Sequence, residues 1–248
     1  MSSGDGLGTD FFLAWIDRLA ELITAEKDRL TALDAAIGDA DHGTNLNRGF
    51  TAARAALEAT PPPTPTAVLV QVGTTLISSV GGASGPLYGT VFRRTGKALG
   101  ETEKVSAQEL AAALAVGLAA VQKLGSASVG DKTMVDAFTP ALDALTTGLA
   151  DEASADGAFD AAASAAEAAA LGTIPLRARK GRASYLGERS EGHEDPGAAS
   201  TALLWRALAD TAADRGGRNG RRQPRHQLRT HRAGRPRGGP GRGRAAAR

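Results

Sequence analysis

The 248-residue sequence has no cysteine, so it can form neither disulfides nor thiolate metal sites, and a reducing compartment suits it. Aromatic residues are scarce at 4 %. With so many alanines, the core is expected to form from helices packed through small side chains. Long apolar runs are missing, which argues against a membrane-spanning segment. The N-terminal apolar stretch lacks a basic flank and is broken by Asp17 and Arg18, so no secretory signal is expected and the chain reads as cytoplasmic.

The formal net charge of +2 hides an asymmetry. Twelve of the 29 basic residues are arginines of residues 215–248, which contain no acid. Residues 1–214 therefore hold 17 basic against 27 acidic side chains, a net of −10. The expected organisation is an acidic folded domain over 1–214 and a disordered Arg/Gly/Pro-rich tail over 215–248. Too little apolar surface is available in the tail to offset ordering it. Clustered arginine can contact nucleic-acid phosphates. The abrupt change near residue 214 instead fits an out-of-frame reading of a GC-rich gene, so nucleic acid is not the expected partner.

Apolar residues recur at helical spacing through most of the domain. Phe12, Ile16, Leu19, Ile23, Leu30 and Leu33 predict a first long helix. The segment "PPPTPT" separates the second helix from a third carrying Leu69, Val72, Leu76 and Val80. Ser106 and Glu109 form a capping-box pattern before Leu110, Leu114, Leu118 and Val121. Met134 to Leu149 predict a helix with a kink at Pro140, and residues 155–171 and 196–213 predict two more. About eight helices and no strand give an all-α class with up-and-down packing.

Three segments carry candidate chemistry. "LDAAIGDADHG" gathers Asp34, Asp39 and Asp41 around a glycine-flexed turn. At an effective dielectric near 20, each carboxylate pair 4 Å apart costs roughly 4 kcal/mol. A hard divalent cation such as Mg²⁺ reverses that cost. The spacing alone also describes a solvated acidic turn with aspartates as helix caps, and it is not an EF-hand loop. "SSVGGASGPLYGT" is a glycine-rich turn opening a helix, with Ser84 as expected N-cap and Pro86 near the first helical position. Such a turn is an anion site or a packing device. "RKGRASYLGERSEGHEDPGA" offers Arg182, whose planar fork suits a phosphate, and His193, read as a surface histidine. "GSASVGDKT" nearly matches a P-loop, but Asp131 interrupts it and it follows a helix, so it reads as a flexible loop leading to Met134.

Together with "GDKTMVDAF", these segments closely resemble, in order, the ADP-binding L subunits of dihydroxyacetone kinases of the phosphotransferase-system-dependent type. The resemblance runs from about residue 8 to 213. It implies an eight-helix antiparallel barrel with the nucleotide, ADP or ATP, at one end. Asp34, Asp39 and Asp41 would hold two Mg²⁺ ions against the phosphates. His42, Gly43, Thr44 and Asn45 would contact the nucleotide at the start of the second helix. Ala83 and Ser84 would lie over the phosphates, and Gly125 and Met134 over the adenine. Arg182 and the turn Asp195, Pro196 and Gly197 would complete the contacts. No catalytic residue beyond this metal–nucleotide site is implied. The implied reaction passes a phosphoryl group to dihydroxyacetone on a separate K subunit, with ADP rephosphorylated in place by an M subunit. A homodimer is left open. The alternatives are an ATP-exchanging kinase subunit for another small hydroxyketone or sugar, and a non-catalytic, nucleotide-loaded regulator of a transcription factor.

Overall fold

The computed structural model describes residues 6–151 and 154–222, with the backbone alone over 216–222. Eight α-helices follow one another: α1 Thr9–Ile37, α2 His42–Ala59, α3 Pro65–Ser79, α4 Ser84–Leu99, α5 Ala107–Gly125, α6 Met134–Ala150, α7 Ala155–Gly172 and α8 Pro196–Arg222. A 3-10 segment, Arg182–Ser190, lies between α7 and α8. Two short strands, β1 Leu7–Gly8 and β2 Lys104–Val105, pair antiparallel and tie the start of α1 to the α4–α5 connection. No helix among the described residues is long and apolar enough to cross a membrane.

Each helix packs on its neighbour in sequence, and α8 returns to α1, which closes the ring. Short connections enforce this order up to α7, and a longer segment over 173–195 leads into α8. Thr64 caps α3 by accepting the Ala67 amide at 3.1 Å, and Pro65 fills the first helical position, where a missing N–H costs nothing. Ser106 and Glu109 form the expected capping box on α5. The α6 helix is assigned without a break through Pro140. The last helix runs on to Arg222, beyond the end expected at 213, and Arg215 Nη2 donates to the Gly6 carbonyl at 2.9 Å. Of the tail expected to be disordered, residues 215–222 instead continue α8, and residues 223–248 lie outside the described residues.

Scarce as they are, the aromatics organise the core. All six phenylalanines and both tryptophans are buried. Their rings link Phe159 on α7 to Phe11, Phe12 and Trp15 on α1, then to Phe92 on α4 and Phe50 on α2. Phe138 meets Trp205 edge-on at 5.3 Å, joining α6 to α8. Each buried ring contributes about 1.5–3 kcal/mol. The small-residue packing expected from composition belongs to α7 and α8: the core face of α7 is Phe159 with Ala158, Ala162, Ala163, Ala166 and Ala170, and α8 buries Ala198, Ala199, Ala202, Ala207, Ala209 and Ala212.

Candidate functional site

A cavity of about 440 Å³ opens at one end of the ring. It is lined from the α1–α2 and α3–α4 turns, the α5–α6 loop, and the segment entering α8. These are the last turns of odd-numbered helices and the first turns of even-numbered ones, so successive helices run antiparallel.

The acidic turn is built by close approach. The Gly38 amide donates to the Asp34 carbonyl, and a Cβ at Gly38 would collide with the Asp34 carboxylate. Ala40 then takes a left-handed φ of 61°, which a side chain adopts only at a cost. Asp34 is 8 % exposed, and its Oδ2 accepts the amides of Asp41 at 2.8 Å and His42 at 3.1 Å. Asp34 therefore covers the first turn of α2 from a neighbouring helix. Asp41 holds the N-cap position of α2, but its side chain makes no cap bond. Asp39 pairs with Arg182 Nε at 3.0 Å on the exposed rim. One carboxylate oxygen from each of the three aspartates lies within 4.8 Å of the others. Three carboxylates facing one guanidinium leave net negative charge, and an all-oxygen donor set fits a hard divalent cation.

The neighbouring polar chain runs through His42. Its Nδ1 lies 3.0 Å from Ser84 Oγ and its Nε2 2.9 Å from Ser200 Oγ. Tyr88 Oη continues the chain to Ser200 at 2.7 Å and Thr201 at 2.9 Å. Burial lowers the pKa of His42 despite the nearby Asp34 and Asp41, and burial pushes the Tyr88 phenol up to about 12. Both groups thus stay neutral and lock α2, α4 and α8 together.

Ser84 is not the N-cap it was expected to be. Ala83 holds that position, Ser84 is the first helical residue and Pro86 the third. The Ser84 hydroxyl turns to His42 instead. The first turn of α4 has no side-chain cap and no acid, so its amides and its positive dipole end face the cavity.

Lys132 holds the opposite wall. It is 1 % exposed and has a left-handed φ of 62°. Its Nζ donates to the carbonyls of Thr173 at 2.9 Å, Leu176 at 3.0 Å and His193 at 2.5 Å. Desolvation lowers its pKa, against the nearby Asp195, Glu191 and Asp136. The loop expected to be flexible is thereby clamped to the chain between α7 and α8. Asp195, at the head of α8, accepts the Ala198 amide at 2.7 Å, while its own amide donates to Thr173 Oγ1 at 2.9 Å. Burial outweighs the Ala198 and Gly197 amides and raises its carboxyl to about 7.

Twelve of the fifteen residues singled out from sequence line this cavity, Arg182, Gly125, Met134 and the Asp195–Gly197 turn among them. Gly43, Thr44 and Asn45 do not. Gly43 packs where any Cβ would strike the Lys27 carbonyl and Thr31 of α1. Thr44 Oγ1 donates to the Asp41 carbonyl at 2.9 Å, and Asn45 Oδ1 accepts from Arg48 at 2.8 Å. His193 is exposed and contributes only its carbonyl to the Lys132 clamp. Sequence reasoning missed Tyr88 and Lys132. Tyr88 sits one turn after Ser84, a spacing that marks it as a partner of the same face.

Comparison with known proteins accounts for this arrangement. The DAK2 domain model matches residues 36–210. The sequence is 44 % identical over 200 residues to the ADP-binding subunit DhaL of the PEP-dependent dihydroxyacetone kinase of Escherichia coli (strain K12), covering 81 % of this chain and 95 % of that one. It is 42 % identical over 207 residues to the ADP-binding subunit DhaL of the PTS-dependent dihydroxyacetone kinase of Lactococcus lactis, covering 84 % of this chain and all of that one. The crystal structure of the dihydroxyacetone kinase from C. freundii in complex with AMP-PNP and Mg²⁺ superposes with a TM-score of 0.61 at 28 % identity. That match covers 85 % of this chain and 35 % of the larger one. An all-α ring whose polar chemistry gathers at one mouth, with these sequence matches, places the chain in the DAK2-domain family alongside the ADP-binding subunits of dihydroxyacetone kinases.

Proposed function

We propose that this chain is the nucleotide-holding subunit of a cytoplasmic dihydroxyacetone kinase, with ADP and two Mg²⁺ bound in the cavity. The observation that carries this reading is the convergence of Asp34, Asp39 and Asp41 at the mouth that also receives the uncapped first turn of α4. Carboxylates and free amides attract opposite charges, and a metal-bound diphosphate satisfies both.

Asp34, Asp39 and Asp41 would hold the metal ions. When bound, the ions offset phosphate charge and polarise the phosphoryl group in transit. The amides of Ser84 and Gly85 would donate to phosphate oxygens. Arg182 sits on the exposed rim, 70 % accessible at its side chain, where its fork can leave Asp39 for a phosphate at small cost. The apolar wall of Val121, Leu124 and Met134 suits an adenine face and excludes water from it. Neutral His42 fixes Ser84 and so the start of α4. The acceptor, dihydroxyacetone, would be presented by a separate K subunit docked at the mouth, and an M subunit would rephosphorylate ADP in place.

Asp39→Asn tests the reading. Loss of one charged ligand should weaken Mg²⁺-dependent ADP binding at least about tenfold by calorimetry, with helical content unchanged. Unchanged affinity would remove the carboxylates from the site. Native mass spectrometry of the wild-type protein reads the metal count directly.

A further inference from the structure

The acidic domain has one wall with the opposite charge. The helices α3 and α4 contain no aspartate or glutamate, and the single acid of α5, Glu109, is held by Ser106 in the capping box at the far end. Between α4 and α5 lies a second cleft of about 530 Å³, lined by Thr90, Arg93, Arg94 and Lys97 of α4 and by Ala120, Lys123 and Leu124 of α5. On α4, Arg93 and Arg94 follow Thr90 by about one turn and Lys97 follows them by another, and Lys123 of α5 lines the same cleft. None of the four cations is in an ion pair among the described residues. Arg93 Nε is buried with no hydrogen-bond partner. Its aliphatic stem packs where α3 has Gly73, which fixes the side chain in place.

This arrangement costs stability twice. Like charges at helical spacing repel, and a buried guanidinium N–H without an acceptor forfeits its solvation. A merely solvated basic face would be interspersed with acids and would keep its donors in water. A bound anion offsets the repulsion among the exposed cations. The cleft is concave and within the range of small-molecule sites, which favours a compact ligand over a flat protein surface. Four cations call for more than one anionic group.

We propose that the α4–α5 cleft is a second anion site, distinct from the carboxylate-lined cavity, that takes a small molecule bearing two or more phosphate groups. Leu124 lines both cavities, so the site abuts the wall of the first. Arg93, Arg94, Lys97 and Lys123 would together neutralise the phosphates.

Inorganic tripolyphosphate, titrated calorimetrically in EDTA, tests this. Without metal the three carboxylates of the first cavity repel the probe, so that cavity does not compete. One tripolyphosphate should bind per chain, more weakly as salt is raised. The double variant R94E/K97E should bind at least about tenfold more weakly, with its thermal midpoint and Mg²⁺-dependent ADP affinity unchanged. Asp39→Asn should bind the probe like wild type, which separates this site from the proposed nucleotide site. No binding to the wild-type chain, or equal binding to R94E/K97E, overturns the proposal. Preference of the cleft for an acidic protein over tripolyphosphate would overturn it too.

Discussion

The two ends of this ring follow different rules. Helices α1, α3, α5 and α7 start at the end away from the cavity; α1 follows Gly8 without a side-chain cap, and Thr64, Ser106 and Ser154 each accept an amide of the first turn of the other three. At the cavity end the caps are mixed: Thr133 and Asp195 accept amides in the first turns of α6 and α8, whereas α2 and α4, which start beside the carboxylates, have no cap bond from their own N-cap side chains. Every buried charged residue described belongs to the cavity end, including Asp34, Lys132, Asp136, Glu194 and Asp195. So do the three non-glycine residues with left-handed backbone, Ala40, Ser126 and Lys132. One end is arranged for stability. The other holds strain and buried charge, which persist in folded proteins where a ligand uses them.

The sharpest break in this comparison is the removal of one lysine charge at each end. Lys132→Met keeps the stem but leaves the Thr173, Leu176 and His193 carbonyls without their shared donor. Unfolding free energy should drop by about 3 kcal/mol, measured by urea denaturation. Lys104→Met, on the exposed strand at the far end, should change it by less than about 0.5 kcal/mol. Equal losses would mean that the clamp contributes nothing beyond an ordinary surface lysine.

The ends also move their carboxyls in opposite directions. Hydrogen bonds from the Ser106 amide and hydroxyl lower the pKa of Glu109, so its contribution is present above the unfolded value and is lost on acidification. Asp195 is raised by burial to about 7 from an ordinary 3.8. Between those values the folded chain holds a proton that the unfolded chain has released, so stability falls as pH rises through the window and levels off above it. Asp195→Asn keeps an N-cap acceptor but cannot ionise. Its stability relative to wild type should climb with pH across that range, by at most about 1.4 kcal/mol per unit. A difference that stays flat with pH would mean that Asp195 titrates as an ordinary exposed carboxyl.

The far end was largely readable in the sequence because its logic is local. "PPPTPT" stops and starts helices, and Ser106 with Glu109 is a cap pattern three residues long. The acidic turn was readable for the same reason, since Asp34, Asp39 and Asp41 fall within eight residues. What joins them to the rest of the site was not. Ser84 looks like an N-cap from its neighbours, yet its hydroxyl is claimed by His42, 42 positions earlier. Lys132 looked like a spoiled P-loop lysine because its acceptors are backbone carbonyls 41 to 61 positions away, which have no side-chain signature. The aromatics, too few to suggest an aromatic core, still form one because nearly all of them point inward.

The smallest predicted effects bear most directly on why the ends differ, because they compare two N-caps. Ser106→Ala removes an acceptor that α5 uses. It should cost about 1 kcal/mol and leave ADP affinity alone, since it lies at the far end. Asp41→Ala alters the N-cap of α2, where the usual rule predicts a similar loss. Its carboxylate caps nothing, however, and sits within 4.8 Å of two others. Removing it relieves repulsion, while Asp34 still accepts the Asp41 and His42 amide positions, so thermal stability in EDTA should stay within about 0.5 kcal/mol of wild type. Calorimetry with Mg²⁺ and ADP should show the reverse order, with Ser106→Ala unchanged and Asp41→Ala weakened. If Asp41→Ala instead lost the full capping increment and kept its affinity, the carboxylate would be an ordinary helix cap.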